Sequence, residues 1–188
     1  MTPFSLGPTA AERLHRARAD LRMGLPVVLS GQLAVAVETL SPERLAALAA
    51  LGPLTLAITS WRAETLKARV YDGDLARIVV PKDADLAWLR AIADPADDLR
   101  MPMKGPLTSR REGDATLARA AIALAKTSQL LPAALLAPLP DPAPEGLTTL
   151  DAAEVLREIS AAAVLAPVSA ARVPMRAAAK GRLPIFRP

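Results

Sequence analysis

Two adjacent arginines, Arg110 and Arg111, stand just before a helix-forming stretch that begins at Gly113. The free N–H groups and the positive dipole end of a helix N-terminus attract anions. Arginine adds a fixed charge and a planar set of donors that suits phosphate. The pattern therefore predicts a weak phosphate site at this junction. Asp114 lies at the same point, and we expect its carboxylate to be the N-cap of the helix.

The other titratable residues lack the spacing typical of catalytic or metal sites. The only histidine, His15, lies among arginines in the first predicted helix, so we expect a solvated helix face rather than a catalytic cleft. Asp72-Gly73-Asp74 lacks the further acids of a calcium loop and predicts a turn. Three aspartates around Pro95 favour a loop over a metal site: Asp94, Asp97 and Asp98.

Composition narrows the classes of protein. The 188 residues contain no cysteine, which excludes disulfides, thiolate zinc sites and cysteine nucleophiles. Only 3% of residues are aromatic and the net charge is +4, so nucleic-acid binding is not expected. The N-terminus lacks the apolar core of a signal peptide, and no apolar run approaches the roughly 20 residues of a membrane span. We expect a cytoplasmic protein without membrane association.

Helix and strand patterns alternate along the chain. Apolar residues at helical spacing, with Ser/Thr/Asp starts and Gly or Pro stops, predict helices at 9–24, 41–52, 61–67, 83–93, 113–131 and 151–162. Short apolar runs predict strands at 26–29, 33–37, 54–59, 76–80, 133–139 and 164–168. The first two strands flank Ser30-Gly31 and form a hairpin. The segments 94–112 and 141–146 are expected to be loops or turns.

The stretch from 113 to 131 predicts a helix buried on most sides, because Arg119 and Lys126 share one narrow polar stripe. Pro132 then ends the helix and a buried strand follows. Alternating helices and strands with one hairpin favour an α/β (α+β) fold. We predict a three-layer sandwich with a mixed, twisted sheet.

The order of the elements resembles 3,4-dihydroxy-2-butanone 4-phosphate synthase. The resemblance begins with the Pro-Val-Val-Leu strand at 26–29, the hairpin return through Glu38 and the Ser41-Pro42-Glu43 helix start. It continues in Arg111-Glu112-Gly113-Asp114 and the following LARAAIALAKTSQLLPAALL, which are similar to the Arg-x-Gly-His-Thr-Glu-Ala motif, helix and strand of that enzyme. The likeness covers about 9–168 and implies the fold of that enzyme.

LAKTSQLLPAAL at 124–135 resembles the N-terminal domain of certain bacterial GTP cyclohydrolase II proteins, and the tail 171–188 is similar to the first strands of their cyclohydrolase domain. This resemblance implies a degenerate synthase-like domain at 1–168 and, at 169–188, a linker or the start of a missing cyclohydrolase domain. Zinc is expected only in that missing domain, since its ligands are cysteines downstream. The resemblance also implies a homodimer and a cyclohydrolase II domain as linked or separate partner.

The residues that carry chemistry in the family are replaced here. The resemblance implies an acidic loop between the first two strands that holds magnesium and sugar phosphate, but Ser30-Gly31-Gln32 has no carboxylate. The motif His-Thr-Glu aligns with Asp114, Ala115 and Thr116, and the glutamate that closes the later strand aligns with Pro138. Only Arg111 and Gly113 match, as a residual phosphate-binding pair. We therefore expect no catalytic residue, no metal and a lost magnesium site.

These comparisons favour a non-catalytic structural or regulatory domain of a riboflavin-biosynthesis protein. One alternative is an active or altered enzyme that converts ribulose 5-phosphate to 3,4-dihydroxy-2-butanone 4-phosphate through a rebuilt site around Arg111 and Asp114. Another is an interaction module whose tail, which holds five basic residues and no acidic ones from 169 to 188, docks on an acidic partner.

Overall fold

The computed structural model describes residues 7–162, 166–177 and 179–187, and the chain divides into two compact units between residues 156 and 157. Five helices lie within the first unit, and a sixth begins in it: α1 (Ala10–Arg22), α2 (Pro42–Leu51), α3 (Ser60–Thr65), α4 (Leu86–Ala93), α5 (Thr116–Thr127) and α6 (Ala152–Ala162). Its strands are β1 (Val27–Leu29), β2 (Gln32–Ala36), β3 (Thr55–Thr59), β4 (Leu75–Val79), β5 (Ala133–Pro138) and β6 (Thr149–Leu150).

The six strands form one mixed sheet in the order β4-β3-β5-β2-β1-β6. Only the β1–β6 pair is parallel. In the antiparallel β2–β5 pair, Gln32 lies opposite Pro138 and Ala36 lies opposite Ala134. The register therefore brings the β1–β2 turn next to the end of β5.

The side chains of the sheet alternate between two helical layers. One face carries Leu33, Val35, Leu56, Ile58 and Leu135, which form a core with residues of α2 and α4. Small intervening residues point to the opposite face, which α1 and α5 cover: Ala34, Ala36, Ala57 and Ala134. Alanine on the strands and on α5 lets helix and sheet lie close together. The predicted three-layer sandwich with a mixed sheet is confirmed.

Local sequence signals explain the helix boundaries. Thr9 and Glu12 form a capping box at α1, and Ser41 caps α2 with Pro42 in its first turn. Gly24, with φ +71°, follows α1, where the Thr39 carbonyl leaves no space for a side chain. α5 is buried on most of its circumference, as its narrow polar stripe predicts. Every helix predicted from the sequence is present, and bounds differ by a few residues.

Two pairings were not predicted. The two-residue strand β6 lies at 149–150, in a stretch with no strand pattern of its own, and it is held by Val28 and Ser30 N–H bonds to Thr148 and Leu150. The segment 108–110 of the expected loop pairs with the outer edge of β4, where Ser109 lies opposite Ile78. Both pairings form because a neighbouring strand offers hydrogen-bond partners. Each segment is too short to show an apolar strand pattern in its own sequence.

The second unit contains a two-stranded antiparallel sheet of β7 (Ala166–Val173) and β8 (Gly181–Arg187). Part of the strand predicted at 164–168 lies outside the described residues. β7 runs across the expected boundary at 168/169, and the expected linker includes β8. Within the described part of the chain, no helix is long and apolar enough to cross a membrane.

Candidate functional site

The β1–β2 turn occupies the position at which the resemblance implies an acidic loop. Ser30 and Gly31 both have positive φ, 45° and 79°, as in the tightest type of hairpin turn. The Ser30 hydroxyl donates to Asp151 Oδ2 at 3.2 Å and accepts from the Ala152 N–H at 2.8 Å. Ser30 therefore caps α6, and the turn presents no acidic side chain of its own.

At the start of α5, Asp114 is not the N-cap that the sequence predicts. The N-cap position belongs to Ala115, which makes no capping bond from its side chain. Asp114 precedes it, and its Oδ1 accepts from the Thr116 N–H at 3.2 Å and from the Thr116 hydroxyl at 2.9 Å. Both bonds favour the ionised carboxyl and lower the pKa of Asp114. The capping role is retained, one residue earlier.

The structure places the predicted phosphate pair on an exposed loop. Arg111 and Gly113 are both exposed, and Gly113 has φ +86°. The neighbouring Arg110 is held by its backbone, since its N–H donates to the Arg77 carbonyl at 2.7 Å. At the N-terminus of α5 the Thr116 N–H is thus taken by Asp114, and the exposed Arg111 lies on the loop before it.

An arginine of β4, missed by the sequence analysis, fixes this loop. Arg77 donates to both carboxylate oxygens of Asp72 at 2.8 and 2.9 Å, and to the Gly113 carbonyl at 3.0 Å. Arg119 of α5 pairs with Asp74 at 3.0 Å, and that carboxylate raises the pKa of Arg119. Asp72-Gly73-Asp74 is the predicted turn, used for structural ion pairs. The available signal was an arginine in the middle of the apolar strand Leu75–Val79.

A second ionic cluster, also missed, lies where α3 meets the loop after α4. Arg62 donates to both oxygens of Asp98 at 2.7 Å and to the carbonyls of Ile92, Ala91 and Asp94. The Lys104 ammonium also bonds Asp98. Hydrogen bonds from both cations hold the pKa of Asp98 well below its ordinary value. No periodic pattern in the sequence marks this cluster.

The remaining candidates have structural or surface roles. His15 is exposed on α1, as expected. Asp94 accepts from the Ala96 N–H at 2.9 Å and begins a short 3-10 turn, Pro95–Asp97. The side chain of Asp97 lies outside the described residues.

The site implied by the resemblance does not fit magnesium. Mg²⁺ binds carboxylate oxygens with near-octahedral geometry. At the aligned positions the chain has a Ser-Gly turn, a carboxylate committed to Thr116, and Pro138, which has no donor atom in its side chain. Over the described ranges, no three His, Cys, Asp or Glu side chains are grouped closely enough to hold a metal ion.

The chain matches no protein-family model, and no curated protein sequence matches it. Its architecture is that of 3,4-dihydroxy-2-butanone 4-phosphate synthases, an enzyme class of riboflavin biosynthesis. It is similar to RibBX, a two-domain synthase from A. baumannii, with a TM-score of 0.58 and 13% identity over 93% of this chain and 66% of that one. The synthase of Candida albicans gives 0.56 and 13%, over 78% of this chain and 96% of that one. A cation-free synthase structure gives 0.55 and 13%, over 79% and 97%.

Identity this low establishes the fold alone. The match to the two-domain protein extends over 15 percentage points more of this chain than the Candida albicans match, which is about 28 residues.

Proposed function

We propose that this chain is a non-catalytic, structural or regulatory domain of a cytoplasmic riboflavin-biosynthesis protein of the GTP cyclohydrolase II type. The proposal is carried by one observation: the synthase fold is retained, while the acidic loop implied for magnesium and substrate is a two-residue turn that caps α6. In the alignment that the resemblance implies, Asp114 stands at the position of the motif histidine and Pro138 at the position of a strand-ending glutamate.

The reaction of the synthases needs proton transfers on a sugar phosphate and a divalent metal. General acid–base steps need a titratable group within hydrogen-bond reach of the proton that moves. At the aligned positions, the carboxylate of Asp114 is engaged by Thr116 and the side chain of Pro138 cannot accept a proton. Because metal ligands and bases are replaced together, a single compensating residue would not restore the reaction.

The test is incubation of the full chain with ribulose 5-phosphate and Mg²⁺, with formate release as the measurement. The synthase of Candida albicans under the same conditions is the positive control. We expect formate from the control only. Formate production by the chain at a rate above a heat-denatured sample would overturn the proposal.

The second unit supports a link to a further domain. Its two strands and the connection between them expose apolar side chains that no third strand or helix covers within the described residues of this unit: Val168, Met175, Leu183, Ile185 and Phe186. An isolated two-stranded sheet is marginally stable in water. We propose that residues 169–188 of this unit begin the cyclohydrolase II domain, the only part in which zinc is expected. Expression with the downstream reading frame should protect the β7–β8 amides from hydrogen exchange, and unchanged exchange would argue against it.

We also propose that the chain is a homodimer, as the resemblance implies. Trp61, Leu99 and Met103 are 82%, 96% and 88% exposed. Trp61 and Met103 line two cavities that share Thr65 and Asp98, so they lie on one face. Analytical ultracentrifugation of the wild type should show a dimer, and Trp61→Glu should dissociate it. Met23→Glu, which changes an exposed apolar residue elsewhere, is the control and should remain a dimer. A wild-type monomer would contradict this assignment.

A second candidate is a rebuilt sugar-phosphate site. It is favoured by the exposed arginine Arg111 on the loop that leads into the N-terminus of α5. Calorimetry with ribulose 5-phosphate and GTP tests it, and binding that disappears in Arg111→Ala would support it. Equal binding by wild type and variant would exclude Arg111 and Gly113 from the site.

A third candidate is an interaction module. Its basis is the basic character of β7–β8 and the turn between them, which carry Arg172, Arg176, Lys180, Arg182 and Arg187. Binding to an acidic partner such as RNA should weaken steeply with salt. A chain that ends at residue 168 should then lose it, whereas salt-independent binding would contradict this function.

A further inference from the structure

A cavity of about 680 Å³ lies between the end of α3 and the loop 102–106. Thr65, Leu66 and Lys67 form one wall, and Met103, Lys104 and Gly105 belong to the other. Asp98 also lines it. The residues that line the cavity lie at 65–67, 98 and 102–106, so the cavity is separate from the α5 N-terminus.

The charges around this cavity are unbalanced. Arg62 has an exposed side-chain fraction of 8%, and all of its donor nitrogens bond either Asp98 or main-chain carbonyls. Asp98 accepts from Arg62 with both oxygens, so its charge already compensates the guanidinium. Lys104 is 5% exposed, and Lys67 lines the same cavity. Among the residues that line the cavity, Asp98 is the one carboxylate beside the two cations Lys67 and Lys104.

Lys104 lines this cavity with a buried side chain. An ammonium group carries three N–H donors, and Lys104 donates to Asp98 within the described part of the chain. A buried cation is costly unless it is paired and hydrogen-bonded. The backbone of Lys104 is fixed, because its carbonyl accepts from the Trp88 indole N–H at 3.2 Å. The lysine is thus held at the cavity wall, with Asp98 as its acceptor among the described side chains.

We propose that this cavity binds a small oxyanion, of the class of inorganic phosphate or the phosphate group of a small metabolite. Lys104 supplies the buried charge and its remaining donors, and Lys67 supplies a second charge at the opposite wall. The cavity volume exceeds that of phosphate alone, so the remainder of a phosphorylated small molecule fits beside it. The site is independent of the proposed loss of catalysis and of Arg111 and Gly113, and its wall residue Met103 also lies on the face assigned above to the dimer.

The experiment is isothermal titration of the full chain with inorganic phosphate in a chloride buffer of constant ionic strength. We expect one saturable site, and tighter binding of glucose 6-phosphate would identify an esterified phosphate as the preferred ligand. Tighter binding of inorganic phosphate would identify the free anion. Lys104→Met should weaken binding at least tenfold. Lys82→Met, at an exposed lysine elsewhere, is the matched control and should bind like the wild type.

Two further measurements keep the test decisive if Lys104→Met does not fold. Lys67→Met changes an exposed side chain, and we expect it to weaken binding several-fold. Amide NMR shifts on addition of phosphate should concentrate at Leu66 and Gly105. Absence of saturable binding, unchanged affinity in both lysine variants, or shifts centred on Gly113 instead would overturn the proposal.

Discussion

Arg77 donates two hydrogen bonds of 2.8 and 2.9 Å to the carboxylate of Asp72, and the two side chains are only 7% and 10% exposed. The same guanidinium reaches the carbonyl of Gly113. One side chain thus joins the edge strand β4, the turn before it and the loop that leads into α5.

Loss of Arg77 should strongly destabilise the domain. Arg77→Met leaves the Asp72 carboxylate buried without a partner, and breaking one half of a buried ion pair costs about 3–5 kcal/mol. Urea unfolding followed by circular dichroism measures the change in the free energy of unfolding. The double variant Arg77→Met/Asp72→Asn should recover part of the loss, because the uncompensated charge is gone.

Arg119→Met is the matched control for that experiment. Its pair with Asp74 is 36% and 59% exposed, and exposed pairs contribute no more than about 1 kcal/mol. Similar losses for Arg77→Met and Arg119→Met would contradict the structural role assigned to Arg77.

Stability should fall in acid partly through Asp98. Hydrogen bonds from Arg62 and Lys104 lower the folded-state pKa of Asp98 below its ordinary value of 3.8. As the pH falls, the Asp98 carboxyl therefore takes up its proton at a higher pH in the unfolded chain than in the folded chain. The stabilisation of the fold by ionised Asp98 is present above about pH 4 and is lost as the pH falls below 3.8. Urea unfolding midpoints measured between pH 2.5 and 7 should be higher for the wild type than for Asp98→Asn at pH 7. This difference should become smaller as the pH is lowered.

The exposed Asp83 provides a comparison for the acid experiment. Asp83→Asn should follow the wild type at every pH. A difference between the wild type and Asp98→Asn that stays constant with pH would show that Asp98 does not titrate as described.

The closely packed face of α5 should not accept a larger side chain. Ala125 is completely buried against the alanine-rich side of the sheet, and added methylenes in a filled core cost about 1–3 kcal/mol. Ala125→Leu should lower the free energy of unfolding by that amount. Ala123→Leu, two residues earlier at a half-buried position beside a cavity, should change it little. Equal effects would mean that the packing of α5 is looser than the structure indicates.

Asp114 should affect stability through its acceptor oxygen. Asp114→Ala removes both hydrogen bonds to Thr116 and should lower the melting temperature by less than Arg77→Met does. Asp114→Asn keeps an acceptor and should melt close to the wild type. Thermal unfolding measured at pH 7 checks this, and a more stable alanine variant would contradict the capping role.

The sequence predicted much of the fold because its helix signals are local. Thr9, Ser41 and Pro42 mark the starts of two helices, because capping and the first turn depend only on neighbouring residues. The polar stripe of Arg119 and Lys126 shows which side of α5 faces water. β6 and the 108–110 pairing escaped prediction because a partner strand creates them. The predicted N-cap of α5, Asp114, lies one residue before the observed N-cap, Ala115. An aspartate at this earlier position can still accept the N–H of the residue two places after it, here Thr116.

The charged clusters were harder to predict than the elements. Arg77 and Asp72 are close in sequence, but nothing local shows that the Gly113 carbonyl approaches them. Arg62 and Asp98 are separated by 36 residues, and their pairing depends on how α3 meets the loop after α4. The turn at Ser30 was predicted, but its contact with Asp151 was not, because that contact depends on the parallel β1–β6 pair.

The two-residue turn at Ser30 and Gly31 also bears on how the domain responds to its surroundings. A loop that closes around a cation or a metabolite makes folding depend on the concentration of that ligand. Here the chain reverses by backbone conformation alone, and the hydroxyl at its tip is satisfied by α6. The conformation of this end of the sheet is therefore held by contacts within the chain itself, between Ser30 and the first residues of α6.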